Sequence, residues 1–301
     1  MWEAAFLPHP NPLQRGEGAG DHQETRWKTT TEQLWTWGGR GSTWTRRHGR
    51  RRGSGRWLAG RRAAEEVHRL GLGFVVVDPD GEHKALCELG GVVRVARDAQ
   101  SQVAFDGLGG TWIDEVIELI ADGSGAVLDL AEMDEDEQRT AYAYFAQRWF
   151  KAQQRQPQSV FLFLEEAHIF APQKDRKRAA DSLRVSKAIA RRGRKFGINW
   201  VAGSQRPGDL EKDFIAQANV KWFGRAEIEH DYRAIAPYLP RSVGLQTLRN
   251  LGTGEFYLSV SGELNRVKIR ARRTTDLGRT PPIVARQRSF FSVMNVTPDN
   301  S

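Results

Sequence analysis

Residues 160–168, VFLFLEEAH, constrain the fold more tightly than any other stretch of this chain. Five consecutive apolar residues bounded by polar chain have the pattern of a strand buried on both faces, the usual state of a strand in a parallel α/β sheet. Such sheets gather their chemistry beyond the carboxyl ends of the strands, where Glu165 and Glu166 stand. Two carboxylates held close together are costly unless a cation or a polarised water shares the site. Nucleotide hydrolysis has that need, with one carboxylate holding Mg²⁺ and another group orienting the attacking water. The competing reading is a buried strand that runs into a solvated turn, with both acids exposed.

The downstream sequence favours the first reading. A basic helix is expected over residues 177–196, followed by Gly197, a strand over 198–203, and Ser204-Gln205-Arg206-Pro207. A glutamine at the tip of the strand after the acidic one can reach a terminal phosphate or its water. The constellation FLEEAH followed by ARRGRKFGINWVAGSQRP resembles the HerA-type family of hexameric DNA translocases, RecA-like P-loop ATPases, over roughly residues 63–280. The resemblance implies that Glu165 is the Mg²⁺-side acid, Glu166 the catalytic glutamate and Gln205 the sensor.

Length and composition leave this open. A chain of 301 residues holds one large or two small domains. The single cysteine, Cys87, excludes a disulfide within the chain and is expected to be a small buried hydrophobe; there is no cysteine cluster for zinc. No apolar run approaches the ~18 residues of a membrane span, and the N-terminus lacks a signal-peptide pattern, so a cytoplasmic protein without a membrane partner is expected. The net charge of +8 and pI near 9.8 suggest nucleic acid, but residues 1–62 hold 12 Lys/Arg against 5 Asp/Glu and account for nearly all of it. Six of the ten tryptophans also lie in residues 1–57, among Arg, Gly and Thr without periodicity. A stretch so poor in aliphatic residues buries too little surface to offset its ordering entropy. Residues 1–52 are therefore expected to be disordered or poorly packed. Residues 7–18, LPHPNPLQRGEG, look like a translated intergenic repeat, and much of residues 1–50 is expected to come from a mis-set start or reading frame.

Residues 50–57, RRRGSGRW, occupy the place of a P-loop. That loop needs glycines so that backbone N–H groups can wrap phosphate, a lysine for the outer phosphates and a hydroxyl for Mg²⁺. Gly53, Ser54 and Gly55 supply the wrap, ahead of a helix whose N-terminus adds its dipole. Arg50 replaces the first glycine, Arg56 the lysine and Trp57 the hydroxyl residue. Arginine keeps the charge on a bulkier planar group, and tryptophan cannot ligate magnesium. The apolar strand expected before such a loop is missing from residues 43–52, which are polar throughout. A flexible basic run is the alternative.

Past this point the pattern is regular. A helix is expected over 58–70, stopped by Gly71, then a strand over 73–77 and the turn DPDGE. By resemblance this is the family's second strand. Asp78 or Glu82 would face the nucleotide edge; a plain Pro-Asp-Gly turn explains the same residues. Further strands are expected at 92–96, 126–130 and 220–224. Helices are expected at 112–121, with a capping box from Thr111 and Asp114, at 135–153, at 229–236 and at 243–251. The acidic run 132–137 is assigned to macrodipole compensation rather than to a metal. An antiparallel pair is expected over 255–260 and 266–272. The basic loop 171–178 offers Lys174, Arg176 and Lys177 as phosphate contacts, or forms a solvated charge run. Cations ending the helix at 191–195 suit its dipole; the resemblance adds that GRK lies near a subunit boundary, making Arg192 or Arg194 a candidate for the transferring phosphate.

The expected architecture is α/β, a RecA-like P-loop core with a mostly parallel sheet and helices on both faces, spanning residues 53–280 and followed by a tail at 281–301. The resemblance implies ATP and Mg²⁺ as cofactors, double-stranded DNA as partner, a homo-oligomeric ring, hexameric in the family's manner, and a nuclease partner in DNA end processing. Two alternatives stand beside it. One is a ring or DNA-binding subunit with impaired catalysis, suggested by the altered P-loop. The other is a conjugation or DNA-packaging motor, which an additional coupling domain would favour.

Overall fold

The computed structural model describes residues 34–37, 55–260 and 262–269 together with Thr274; for 34–37 and 55–59 it describes the backbone. The larger of two sheets has six strands, β2 (Gly73–Asp78), β3 (Val92–Ala96), β4 (Val103–Ala104), β5 (Gly125–Asp129), β6 (Val160–Leu164) and β7 (Ile198–Ala202). Their order is β4-β3-β5-β2-β6-β7 and every pairing is parallel. Parallel strands need crossover connections long enough for a helix, and helices supply most of them. α1 (Gly55–Arg69) precedes β2, α2 (Trp112–Ala121) and α3 (Glu135–Arg155) flank β5, and α4 (Ala180–Arg192) joins β6 to β7.

The two-residue period of the strands divides the core. Val75, Val77, Leu162, Leu164 and Trp200 pack with α2, α3 and α4 in one cluster. Phe74, Val76, Phe161 and Phe163 pack on the other face, against Ala63, Ala64 and Val67 of α1. β2, β5, β6 and β7 are buried along their whole length, as their unbroken apolar sequences require. The second sheet has the order β1-β8-β9-β10, from β1 (Leu34–Trp37), β8 (Val220–Phe223), β9 (Glu255–Val260) and β10 (Glu263–Lys268). Short helices α5 (Lys212–Ala216), α6 (Glu229–Ile235) and α7 (Leu245–Arg249) occupy the connections on either side of β8.

Several expectations change. A strand does precede α1: Leu34–Trp37 pairs in parallel with β8 and runs beside β7, well upstream of the polar stretch in which it was sought. α4 begins at Ala180, not 177, because the preceding residues are drawn into a loop bridged to Leu210. The closing pair is antiparallel as expected, but β10 starts at Glu263. Thr111 makes no side-chain cap on α2. Asp106 takes that place, accepting from Thr111 N at 2.9 Å and Thr111 Oγ1 at 2.7 Å. The reciprocal capping box belongs to α3, where Glu137 N donates to Asp134 Oδ1 and Asp134 N to Glu137 Oε2, so the acidic run serves the helix start. Cys87 is half-buried. Among the described residues no helix is long and apolar enough to cross a membrane.

Candidate nucleotide site at the sheet edge

β6 ends at Leu164, and the ladder continues one step further, with Glu165 N donating to Val77 O at 3.1 Å. Glu166 then adopts φ of +44°, a left-handed conformation that a non-glycine residue holds only where its surroundings over-determine it. This turn separates two consecutive carboxylates. Glu165 points back toward α1 and the β2 turn, and Glu166 toward the exit of β7.

Glycines make the room for Glu165. A β-carbon on Gly60 would lie 2.3 Å from Glu165 Oε1, and one on Gly203 would lie 2.7 Å from Oε2. His83, buried at 1% exposure, brings Nε2 to 3.6 Å from Glu165 Oε1. α1 starts at Gly55, five residues before Gly60, so its N-terminus extends about 7.5 Å further along the helix axis.

Glu166 is held by the segment after β7. Gln205 N donates to its Oε2 at 3.2 Å, and the Gln205 side-chain amide donates to its Oε1. His168 Nδ1 lies 3.4 Å from Oε2 and 3.1 Å from Ser204 Oγ, which in turn accepts from Arg206 N at 3.0 Å. The strand register brings these pieces together, since Leu164 sits opposite Ala202, and Ala167 N reaches Gly203 O at 2.7 Å.

Asp78 lies deeper. It has no exposed surface, and its Oδ2 accepts from His83 N at 2.7 Å, closing the turn DPDGEH. Burial, reinforced by the charge of Asp129 directly opposite in the register, pushes its carboxyl up to about 7. Its Oδ1 has no hydrogen-bond partner among the described residues. Asp129 is compensated by Arg94 Nε at 2.8 Å and Lys84 Nζ at 3.2 Å.

The remaining candidates are dispersed. Gly53 and Ser54 lie outside the described residues, as do the side chains of Arg56 and Trp57, whose backbone forms the first turn of α1 with Gly55. Arg192 and Arg194 are exposed where α4 meets the start of β7, separated from the Glu166–Gln205 pair by the length of that strand, about 13 Å. Arg192 lies over the Phe150 ring. Lys174, Arg176 and Lys177 are exposed in the loop after β6, but Arg176 is engaged internally, 2.6 Å from Glu211 Oε2.

No family model matches the chain. Among curated proteins, the DNA double-strand break repair helicase HerA of Pyrococcus furiosus is 45% identical over 62 residues, 21% of this chain and 11% of the relative. The HerA helicase of Saccharolobus solfataricus is 26% identical over 115 residues, 36% of this chain and 22% of the relative. Among solved structures, VirB4 of Thermoanaerobacter pseudethanolicus superposes with a TM-score of 0.59 at 14% identity, covering 80% of this chain and 90% of that one. The bacterial conjugative coupling protein TrwB gives 0.58 at 10% identity, covering 82% and 88%. A short stretch of the chain is thus similar to HerA helicases, and its fold is similar to that of VirB4 and TrwB. The six-stranded parallel sheet with helices has the RecA-like fold of these neighbours. The stretches that match the curated HerA relatives span only about a tenth to a fifth of their length.

The sheet edge unites Glu165, Glu166 and Gln205, and it adds residues to which the motifs assign no role of their own. Ser204 and His168 lie inside the quoted motifs. His83 follows the DPDGE turn directly. Gly203 also lies inside the second motif, and Gly60 carries no sequence signal. Among the described residues no group of three or more His, Cys, Asp or Glu side chains could enclose a metal ion. A Mg²⁺ ion is ordinarily held by one or two carboxylates with phosphate oxygens and water completing its shell. The glycine-walled position of Glu165 fits such a carboxylate.

Proposed function

We propose that the chain is a subunit of an ATP-driven DNA translocase of HerA type, acting as a ring on double-stranded DNA. The observation that carries this reading is the Glu166–Gln205 pair beside Glu165, at the carboxyl edge of a parallel sheet. In this reading the phosphates of ATP lie between the N-terminus of α1 and that edge, where helix N–H groups and dipole favour anions. Glu165 would hold Mg²⁺, which would neutralise charge on the transferring phosphate. Glu166 accepts the proton of the attacking water, and Gln205 orients Glu166 and senses the terminal phosphate. Arg192 or Arg194, exposed on the far side of β7, would serve the site of a neighbouring subunit. The curated HerA relatives are named as DNA double-strand break repair helicases, which supports DNA as the partner; DNA end processing with a nuclease is the setting proposed here.

A second reading, a ring or DNA-binding subunit with impaired hydrolysis, is favoured by one feature. Arg56 and Trp57 stand where a P-loop has lysine and a hydroxyl residue. Turnover of ATP by the purified chain, with and without duplex DNA and compared with Glu166→Gln, separates the two. DNA-stimulated turnover lost in the variant supports the motor, and turnover no higher than that of the variant supports the impaired subunit.

A further inference from the structure

Two loops leave the carboxyl edge of the large sheet side by side. One follows β6 and carries the basic residues 174–178; the other follows β7 through Gln205 and ends in Leu210 and Glu211. They are joined at several points. Gln173 N donates to Asp209 O at 2.6 Å, Glu211 N to Ala171 O at 2.9 Å and Lys212 N to Gln173 Oε1 at 3.3 Å, while Pro172 and Leu210 form an antiparallel bridge. The side-chain link is between Arg176 and Glu211. Arg176 Nη2 lies 2.6 Å from Glu211 Oε2, an ion pair whose N–H is not aligned on the oxygen, and Arg176 Nε donates to Gln173 O at 3.2 Å. Glu211 is 4% exposed and has Lys187 Nζ at 3.7 Å on its other oxygen. A carboxylate this buried depends on its cations, since removal of one partner leaves charge uncompensated away from water.

The outward side of the same loop is different. Lys174, Lys177 and Arg178 are exposed and have no ion pair among the described residues. Three cations within five residues, free of internal partners, suit the sequence-independent phosphates of a nucleic acid backbone.

We propose that Glu211 is a positioning residue for a polyanion-binding loop. Through Arg176 it clamps residues 173–178 to the segment that carries Gln205. Lys174, Lys177 and Arg178 then meet duplex phosphates in a geometry tied to the Glu166–Gln205 pair. This rests on the reading of double-stranded DNA as the partner.

The test uses the full chain and a 30-base-pair duplex. Duplex affinity is measured by anisotropy over a salt series, amide exchange is followed over residues 171–178, and ATP turnover is recorded with and without the duplex. Lys174→Gln with Lys177→Gln should make the salt dependence shallower by about 2 in slope, one phosphate per lysine. Glu211→Gln should leave that slope unchanged, speed exchange at Gln173 and its neighbours, lower affinity several-fold and remove DNA stimulation while basal turnover stays. Arg176→Gln breaks the contact from its exposed side, so it guards against a folding defect in the Glu211 variant. It should reproduce the same pattern, with the double variant no worse than either single one. Wild-type exchange and affinity in both variants would overturn the proposal, as would a wild-type chain that binds no duplex at low salt. A wild-type chain without ATP turnover would overturn the motor reading alone, leaving the exchange and anisotropy measurements to decide this one.

Discussion

Gln205 holds both carboxylate oxygens of Glu166, one through its backbone N–H at 3.2 Å and the other through its side-chain amide. If Glu166 is the general base of the proposed reaction, an amide in this position fixes its direction without taking its charge. Gln205→Ala removes the side-chain bond and leaves the backbone one. Turnover should fall by about 10- to 100-fold, within the range of a misdirected base, while nucleotide affinity stays near wild type. Gln205→Glu sets carboxylate against carboxylate and should be worse; equal turnover in both variants would show that the amide does not orient the base. Rapid-quench turnover and a fluorescent-nucleotide titration make the comparison.

Gly60 tests the room given to Glu165. Alanine in a helix interior is ordinarily favoured over glycine by about 1 kcal/mol, and Gly60 lies within α1. Its added β-carbon would, however, lie 2.3 Å from Glu165 Oε1. Gly60→Ala should therefore lose the expected gain in thermal stability and raise the Mg²⁺ concentration needed for half-maximal turnover. A variant that is stabilised by the full helix increment with unchanged Mg²⁺ dependence would show that Glu165 does not need that space.

Asp78 makes stability depend on pH. Its carboxyl titrates near 7 in the folded chain, against an ordinary 3.8, because burial disfavours the charged form. Between about pH 4 and pH 7 the folded chain holds a proton that the unfolded chain has released. The contribution of Asp78 is thus fully present below pH 4 and is lost as pH rises through 7. Asp78→Asn keeps an oxygen for the His83 N–H and cannot ionise. The variant should flatten the stability profile across this window and melt higher than wild type at pH 8, as measured by denaturant unfolding at successive pH values.

Arg192 and Arg194 are exposed at the opposite end of β7 from the Glu166–Gln205 pair, so in the proposed ring they would act on a neighbouring subunit's site. Mixed rings then have a signature. Arg194→Ala and Glu166→Gln subunits, each inactive alone, should recover part of the turnover when mixed, because some interfaces combine an intact glutamate with an intact arginine. If neither Arg194→Ala nor Arg192→Ala lowers turnover, neither arginine serves the site.

The large sheet was legible in the sequence because burial on both faces leaves little freedom of composition. FVVV, AVLDL, VFLFL and INWVA announce β2, β5, β6 and β7 to within a residue or two. Glu165, Glu166 and Gln205 were legible as a group because the strands that carry them are adjacent and end together. Contacts that depend on three dimensions were not. Nothing in LWTW marks it as a strand beside β8, since four residues among Trp and Thr have no distinctive period. Asp106 capping α2 from six residues upstream falls outside the local capping pattern, in which Thr111 was expected to act. Arg176 is indistinguishable in sequence from the other cations of its loop, and only the folded position of Glu211 gives it an internal partner.

Steady-state ATP hydrolysis by the purified chain, with and without double-stranded DNA and alongside Glu166→Gln, tests the central claim most directly. The account predicts turnover that rises with DNA and falls by about 10²- to 10⁴-fold in the variant, the usual worth of a general base. Wild-type turnover that matches Glu166→Gln, with or without DNA, would contradict it.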